Sequence, residues 1–96
     1  MSLPLDAAEA LIADLTRRMQ ALREATYEGH DEAKLAVATV TGDGEVRTVK
    51  LAQTVGRHSP EDVADAIRKA VTAAQQELAL AYTKLAHQAE QWEQQQ

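Results

Sequence analysis

This sequence predicts an α+β fold: a helix, a β-hairpin with room for a short extra strand, and a long second helix, all in one domain over residues 1–96. Three observations carry that expectation. Apolar residues recur every three or four positions before residue 27 and again after residue 60, β-branched residues crowd around a glycine turn between them, and a helix-start signal, "SPED", stands at 59–62.

The first helix is expected over about 6–27. Leu5, Ala8, Ile12, Leu15, Met19, Leu22 and Thr26 form a heptad-like seam, with Leu11 and Ala25 widening it. Pro4, Asp6, Glu9 and Asp14 lie toward its start and Arg17, Arg18 and Arg23 toward its end, which complements the helix macrodipole. Gly29 breaks the pattern, and "EGHDEAK" (28–34) reads as a polar connector.

The hairpin is expected over about 35–51. Val37, Thr39, Val40 and Thr41 mark one strand and Val46, Thr48 and Val49 the next, while Gly42, Asp43 and Gly44 between them tolerate the positive φ of a tight turn.

After the connector "AQTVGRH", Ser59 suits the N-cap and Pro60 the first helical position of a second helix, and Asp62 stands where a capping-box acid would reach back. That helix is expected over about 60–93. Val63, Ile67, Ala70, Ala74, Leu78, Ala81, Leu85 and Trp92 make its stripe, and no Gly or Pro interrupts 61–96. The glutamine-rich end, "HQAEQWEQQQ", is expected to fray, with Trp92 docking on a neighbour.

Such a helix is about 50 Å long, whereas a compact chain of this size has a radius of gyration near about 12 Å. A lone hairpin is also marginal in water, because two strands leave an apolar face bare. Both features ask for a second copy of the chain, so a homodimer is expected. Its interface residues are Ile12, Leu15, Met19 and Leu22 of the first helix, Val37, Val40, Val46 and Val49 of the hairpin, and Ile67 and Leu78 of the second helix.

Composition narrows the function. With no cysteine, disulfides, thiolate metal sites and cysteine nucleophiles are excluded together. The start carries acids through its apolar stretch, unlike a secretory signal, and no run approaches the roughly 18 apolar residues of a membrane span, so a cytoplasmic protein without membrane partners is expected. Net charge is −5, from 10 Lys and Arg against 15 Asp and Glu, the wrong sign for coating a polyanion by bulk attraction. Only three aromatics, Tyr27, Tyr82 and Trp92, are available, too few for a base-stacking platform.

Catalysis finds no candidate. His30, His58 and His87 are far apart, with no HExxH spacing, and read as exposed polar side chains. Ser59 is explained by capping and no G-x-S-x-G elbow is present. The G-x-G of Gly42 and Gly44 lies inside a hairpin and opens no helix, so it cannot cradle a phosphate in the usual way, and Asp43 and Glu45 do not supply an EF-hand. A non-enzyme with no cofactor and no metal is expected.

The order helix, "KLAVATVTGDGEVRTVKL", "SPEDVADAIRKAVTAAQQEL" resembles the YbaB/EbfC family of small bacterial nucleoid-associated proteins, particularly its compact actinobacterial members, over about residues 8–88. The resemblance implies a tweezer-like homodimer in which hairpins of both subunits form a central antiparallel sheet and helices project as arms onto duplex DNA. It also implies a role in nucleoid organisation or transcription. Two departures stand out: "MSLPLDAAEAL" replaces the usual Gly- and Met-rich start, and "DEAK" stands where a glycine commonly precedes the first strand.

The cations available for DNA are Arg17, Arg18 and Arg23 on the first helix and Arg68, Lys69 and Lys84 on the second. On projecting helices they could pair with phosphates without reading sequence. From the residues alone they read rather as solvated faces, since Asp14 lies four before Arg18 and Asp65 four before Lys69; the resemblance tips the balance toward double-stranded DNA. Arg47, Lys50 and Arg57 read as hairpin-edge charges that block further strand pairing. The alternative is an acidic protein-interaction adaptor or chaperone-like module, secretion-linked, that engages another protein and no DNA.

Overall fold

The computed structural model describes residues 5–94, with side chains over 6–91. Helix α1 (Leu5–Glu24) leads into strands β1 (Thr26–His30), β2 (Ala36–Thr41) and β3 (Val46–Leu51); a 3-10 turn (Gln53–Arg57) then precedes helix α2 (Pro60–Gln94). The strands form one antiparallel sheet in the order β1-β2-β3.

The extra strand is β1, and it corrects two expectations. Helix α1 stops at Glu24, short of residue 27, and the supposed connector begins with a strand pairing Thr26 with Thr41 and His30 with Val37. Seam position Thr26 thus belongs to the sheet. Gly29 does not break structure here but permits it: it pairs with Ala38 on the face toward α2, and a Cβ would stand 2.1 Å from the backbone nitrogen of Ala74. A strand this close to a helix backbone admits no side chain.

The β1–β2 turn is built from polar residues. Asp31, buried, accepts the Ala36 N–H at 2.8 Å through Oδ1, and its carbonyl accepts the Lys34 N–H at 3.0 Å. Lys34 takes a positive φ of 56° to close the turn. In the hairpin, only Gly44 adopts positive φ, at 86°. Gly42 is needed for space instead, since a Cβ there would lie 2.2 Å from the Leu22 carbonyl oxygen at the end of α1. A register shift beyond Thr39 sets Val40 opposite Val46 and leaves Arg47 as the bulged residue.

Helix α2 begins as the sequence predicts: Ser59 Oγ accepts the Asp62 N–H at 3.1 Å, and the Ser59 carbonyl accepts the Val63 N–H at 3.0 Å. It continues through Gln94 because nothing in "HQAEQWEQ" breaks a helix, so most of the segment expected to fray is helical. The docking expected of Trp92 and the seam position Leu5 involve side chains outside the described set.

The core is made of small residues. Ala36, Ala38 and Val40 on one face of β2 meet Ala66, Ala70 and Ala74 on α2, all at 4% exposure or less, with Leu35, Ile67 and Val71 around them. Helix α2 lies over β1 and β2, while all six residues of β3 are exposed. The radius of gyration is 18.7 Å and the molecule measures 63 × 20 × 15 Å, well beyond the about 12 Å of a compact chain this long. The sheet and the first half of α2 form a body, and α1 lies with the second half of α2 as an arm.

Candidate nucleic-acid interface

Arm and body are joined at one point. Tyr27 Oη donates to the Leu22 carbonyl at 3.1 Å, and Tyr82 Oη donates to the Gly42 carbonyl at 3.1 Å, so the end of α1, the hairpin turn and the middle of α2 are tied together. Burial, and to a lesser degree the neighbouring Tyr82 hydroxyl, raise the Tyr27 phenol above its ordinary pKa. Further out, Arg18 spans the helices: its Nη1 donates to Gln88 Oε1 at 2.8 Å and its Nε lies 3.0 Å from Asp14 Oδ2.

The six helix cations fall into two groups. Arg17, Arg18, Arg23 and Lys84 belong to the arm, where Arg18 and Lys84 flank one groove of about 300 Å³ floored by Ala21, Leu22, Ala81 and Leu85. Arg68 and Lys69 sit beside the sheet, and Lys69 is about 22 Å from Lys84 along the helix axis. Asp14 binds both Arg17 and Arg18. Asp65 binds Arg68 at 3.4 Å and Lys69 at 3.2 Å, and the Lys69 hydrogen bond and charge, followed by those of Arg68, lower its pKa. The intrahelical partners read from the i,i+4 spacing are therefore present. Arg23 and Lys84 make no ion pair among the described residues. The recess beside Lys69 is lined by Asp31, Glu32, Asp62 and Asp65 with His58, a setting that repels phosphate.

The expected interface residues also separate. Val40 is wholly buried inside the protomer, because β2 is the middle strand and its inward face meets α2. Its side chain therefore serves the protomer's own core. Leu15, Leu22, Ile67 and Leu78 are half-buried, and Val37 is half-buried on the face of the sheet away from α2. Ile12, Met19, Val46 and Val49 are 64%, 40%, 49% and 38% exposed. Leu51, 45% exposed, and Leu80, 53% exposed, were not singled out by the sequence pattern. The register could have found Leu51: it pairs with Ala36 and so shares the face of Val46 and Val49.

The three histidines are exposed and separate; His30 Nδ1 lies 2.8 Å from the Asp31 carbonyl and His87 Nε2 3.1 Å from Gln91 Nε2. Among the described residues there is no cluster of three or more His, Asp or Glu fit for a metal, and no helix long and apolar enough to cross a membrane. A search of curated proteins finds no match to this sequence. A family match does exist, and it covers residues 1–95, almost the whole of a helix, three-stranded sheet and long helix. By that match the chain belongs to the YbaB/EbfC DNA-binding family.

Proposed function

We propose that this protein is a non-enzymatic, single-domain nucleoid-associated protein that acts in the bacterial cytoplasm as a homodimer. It binds duplex DNA with little or no sequence specificity through its projecting helices and so influences nucleoid organisation or transcription. The observation that carries this reading is local charge in an acidic chain. The arm presents Arg17, Arg18, Arg23 and Lys84, two of them without an ion-pair partner among the described residues, with Arg23 at its root against the hairpin turn. Exposed ion pairs such as Arg17–Asp14 are worth about 1 kcal/mol or less and yield readily to phosphate. Arg68 and Lys69 complete the proposed set.

Dimerisation is supported by β3, an exposed edge strand whose Val46, Val49 and Leu51 share the face that α2 covers elsewhere. A second copy would cover that row, with Ile12, Leu15, Met19, Leu22, Ile67 and Leu78 as further members of the proposed interface and Val37 as a member on the opposite face of the sheet.

The test is a titration of fluorescent duplex DNA at about 50 and 200 mM salt, with wild type beside the Arg17/Arg18/Arg68/Lys69 alanine variant. Binding that falls steeply with salt and is lost in the folded variant supports the reading. Absence of binding at the lower salt overturns it and favours the adaptor reading. That alternative has its own support in the apolar groove lined by Leu15, Met19, Tyr82, Leu85, Ala86 and Ala89.

A further inference from the structure

The acids of this chain are unevenly placed. The segment from Val46 to His58 holds Arg47, Lys50 and Arg57 and no Asp or Glu, so all 15 acids lie outside it. In the structure this segment is β3, one of the two edge strands of the sheet and the one on which the dimer is proposed, followed by the 3-10 turn. Arg47, Lys50 and Arg57 are exposed, and none makes an ion pair among the described residues, unlike four of the six helix cations.

The register gives Lys50 a defined face, while Arg47 stands at the bulge and Arg57 on the 3-10 turn. Ala36, Ala38 and Val40 point to α2, so Val37 and Thr39, and with them their partners Lys50 and Thr48, lie on the opposite face. Lys50 thus shares a face with Thr48, two residues before it on β3, and with Thr39 across from Thr48, side chains suited to phosphate oxygens. Glu28, the one strand carboxylate on that face, lies on β1 directly across from Thr39 and two strands, about 10 Å, from β3. From Arg47 to Lys50 is about 10 Å, a spacing at which both can reach phosphates of one DNA strand.

We infer that the β3–3-10 strip, through Arg47, Lys50 and Arg57, is a second contact surface for the DNA phosphate backbone, separate from the arms. The inference rests on the DNA-binding reading above. It differs from edge protection in one respect: a charge that merely blocks strand pairing works with either sign, whereas a phosphate contact needs a cation.

The experiment measures binding of fluorescent duplex DNA across about 50 to 200 mM salt by the full chain, its R47Q/K50Q/R57Q variant and its R47E/K50E/R57E variant. The glutamine variant, with its wild-type oligomeric state checked by sedimentation, is expected to bind at least about tenfold more weakly at the lower salt, with a log–log salt slope shallower by at least about 2, and the glutamate variant more weakly still. R57Q alone, outside the sheet, is expected to lower the slope by about 1 and answers the question even if the triple variants fold poorly. Wild-type binding with unchanged affinity and slope in folded triple variants, or in R57Q where these do not fold, overturns the strip while leaving the arms in place. No binding by wild type overturns the DNA reading and the strip together.

Discussion

The Tyr82 hydroxyl donates to the Gly42 carbonyl at 3.1 Å across 40 residues of sequence, holding the hairpin turn against the middle of α2. Gly42 is buried, so its carbonyl would lose its tyrosine partner with little water to replace it. Tyr82→Phe keeps the ring and removes the donor. It is expected to cost about 1 kcal/mol in chemical denaturation. An unchanged midpoint would mean that the turn is held by packing alone.

Gly29→Ala tests the strand-to-helix approach. The added carbon would overlap the backbone of Ala73 and Ala74, neither of which can swing aside as a side chain would. A loss of about 1–3 kcal/mol or more is expected in thermal or chemical unfolding. A melting temperature equal to wild type would show that α2 shifts freely on the sheet.

Alkaline stability follows from Tyr27. Its phenol is raised above the ordinary 10.0 by burial and then by Tyr82, so the folded state holds this proton more tightly than the unfolded chain does. The associated stability is complete below about pH 10 and is lost as pH rises through the folded value. Tyr27→Phe is expected to flatten the alkaline end of the stability profile. The same slope in both proteins would place the effect elsewhere.

Asp14→Asn removes the acid shared by Arg17 and Arg18. If the arm grips DNA, two guanidiniums are released toward phosphate and one repulsive charge is lost. A several-fold tighter affinity at low salt is expected, on the scale of about 1 kcal/mol. Weaker binding would show that Asp14 orients Arg18 more than it competes for it.

Leu51→Asp places a charge in the uncovered row of β3. Because Leu51 is exposed in the protomer, the fold should survive while a dimer built on this edge should not. Sedimentation is expected to report a monomer, with circular dichroism unchanged. A dimer of wild-type strength would move the interface away from β3.

The elements with strong local signals were legible in the sequence. Ser59 and Pro60 fixed the start of α2, and the β-branched run with Gly44 fixed the hairpin. Strand β1 was hidden because "TYEGH" has no alternation of apolar and polar residues; Gly29 reads as a breaker until the helix backbone against it is known. Gly42 was found for the wrong reason, since its missing side chain matters and its φ does not. The six helix cations were visible, but only the folded chain shows that Arg18 reaches Gln88 across the arm and that Lys69 borders an acidic recess. The basic strip was equally visible as letters. What the sequence alone could not supply is that β3 is an edge strand and that Lys50 shares a face with Thr39 and Thr48.

Helix α2 runs without a break from Pro60 to Gln94, under the sheet at one end and into the arm at the other. Mechanically it is a lever whose fulcrum is the bed of alanines at 66, 70 and 74. From Ala74 to Gln94 it extends about 30 Å beyond that bed, so a tilt of about ten degrees at the sheet carries the tip through about 5 Å. That displacement exceeds the rise of about 3.4 Å between neighbouring base pairs. The width of any gap between two such arms is thus set by how tightly alanine and glycine seat a helix on a strand, far from the residues that would touch DNA.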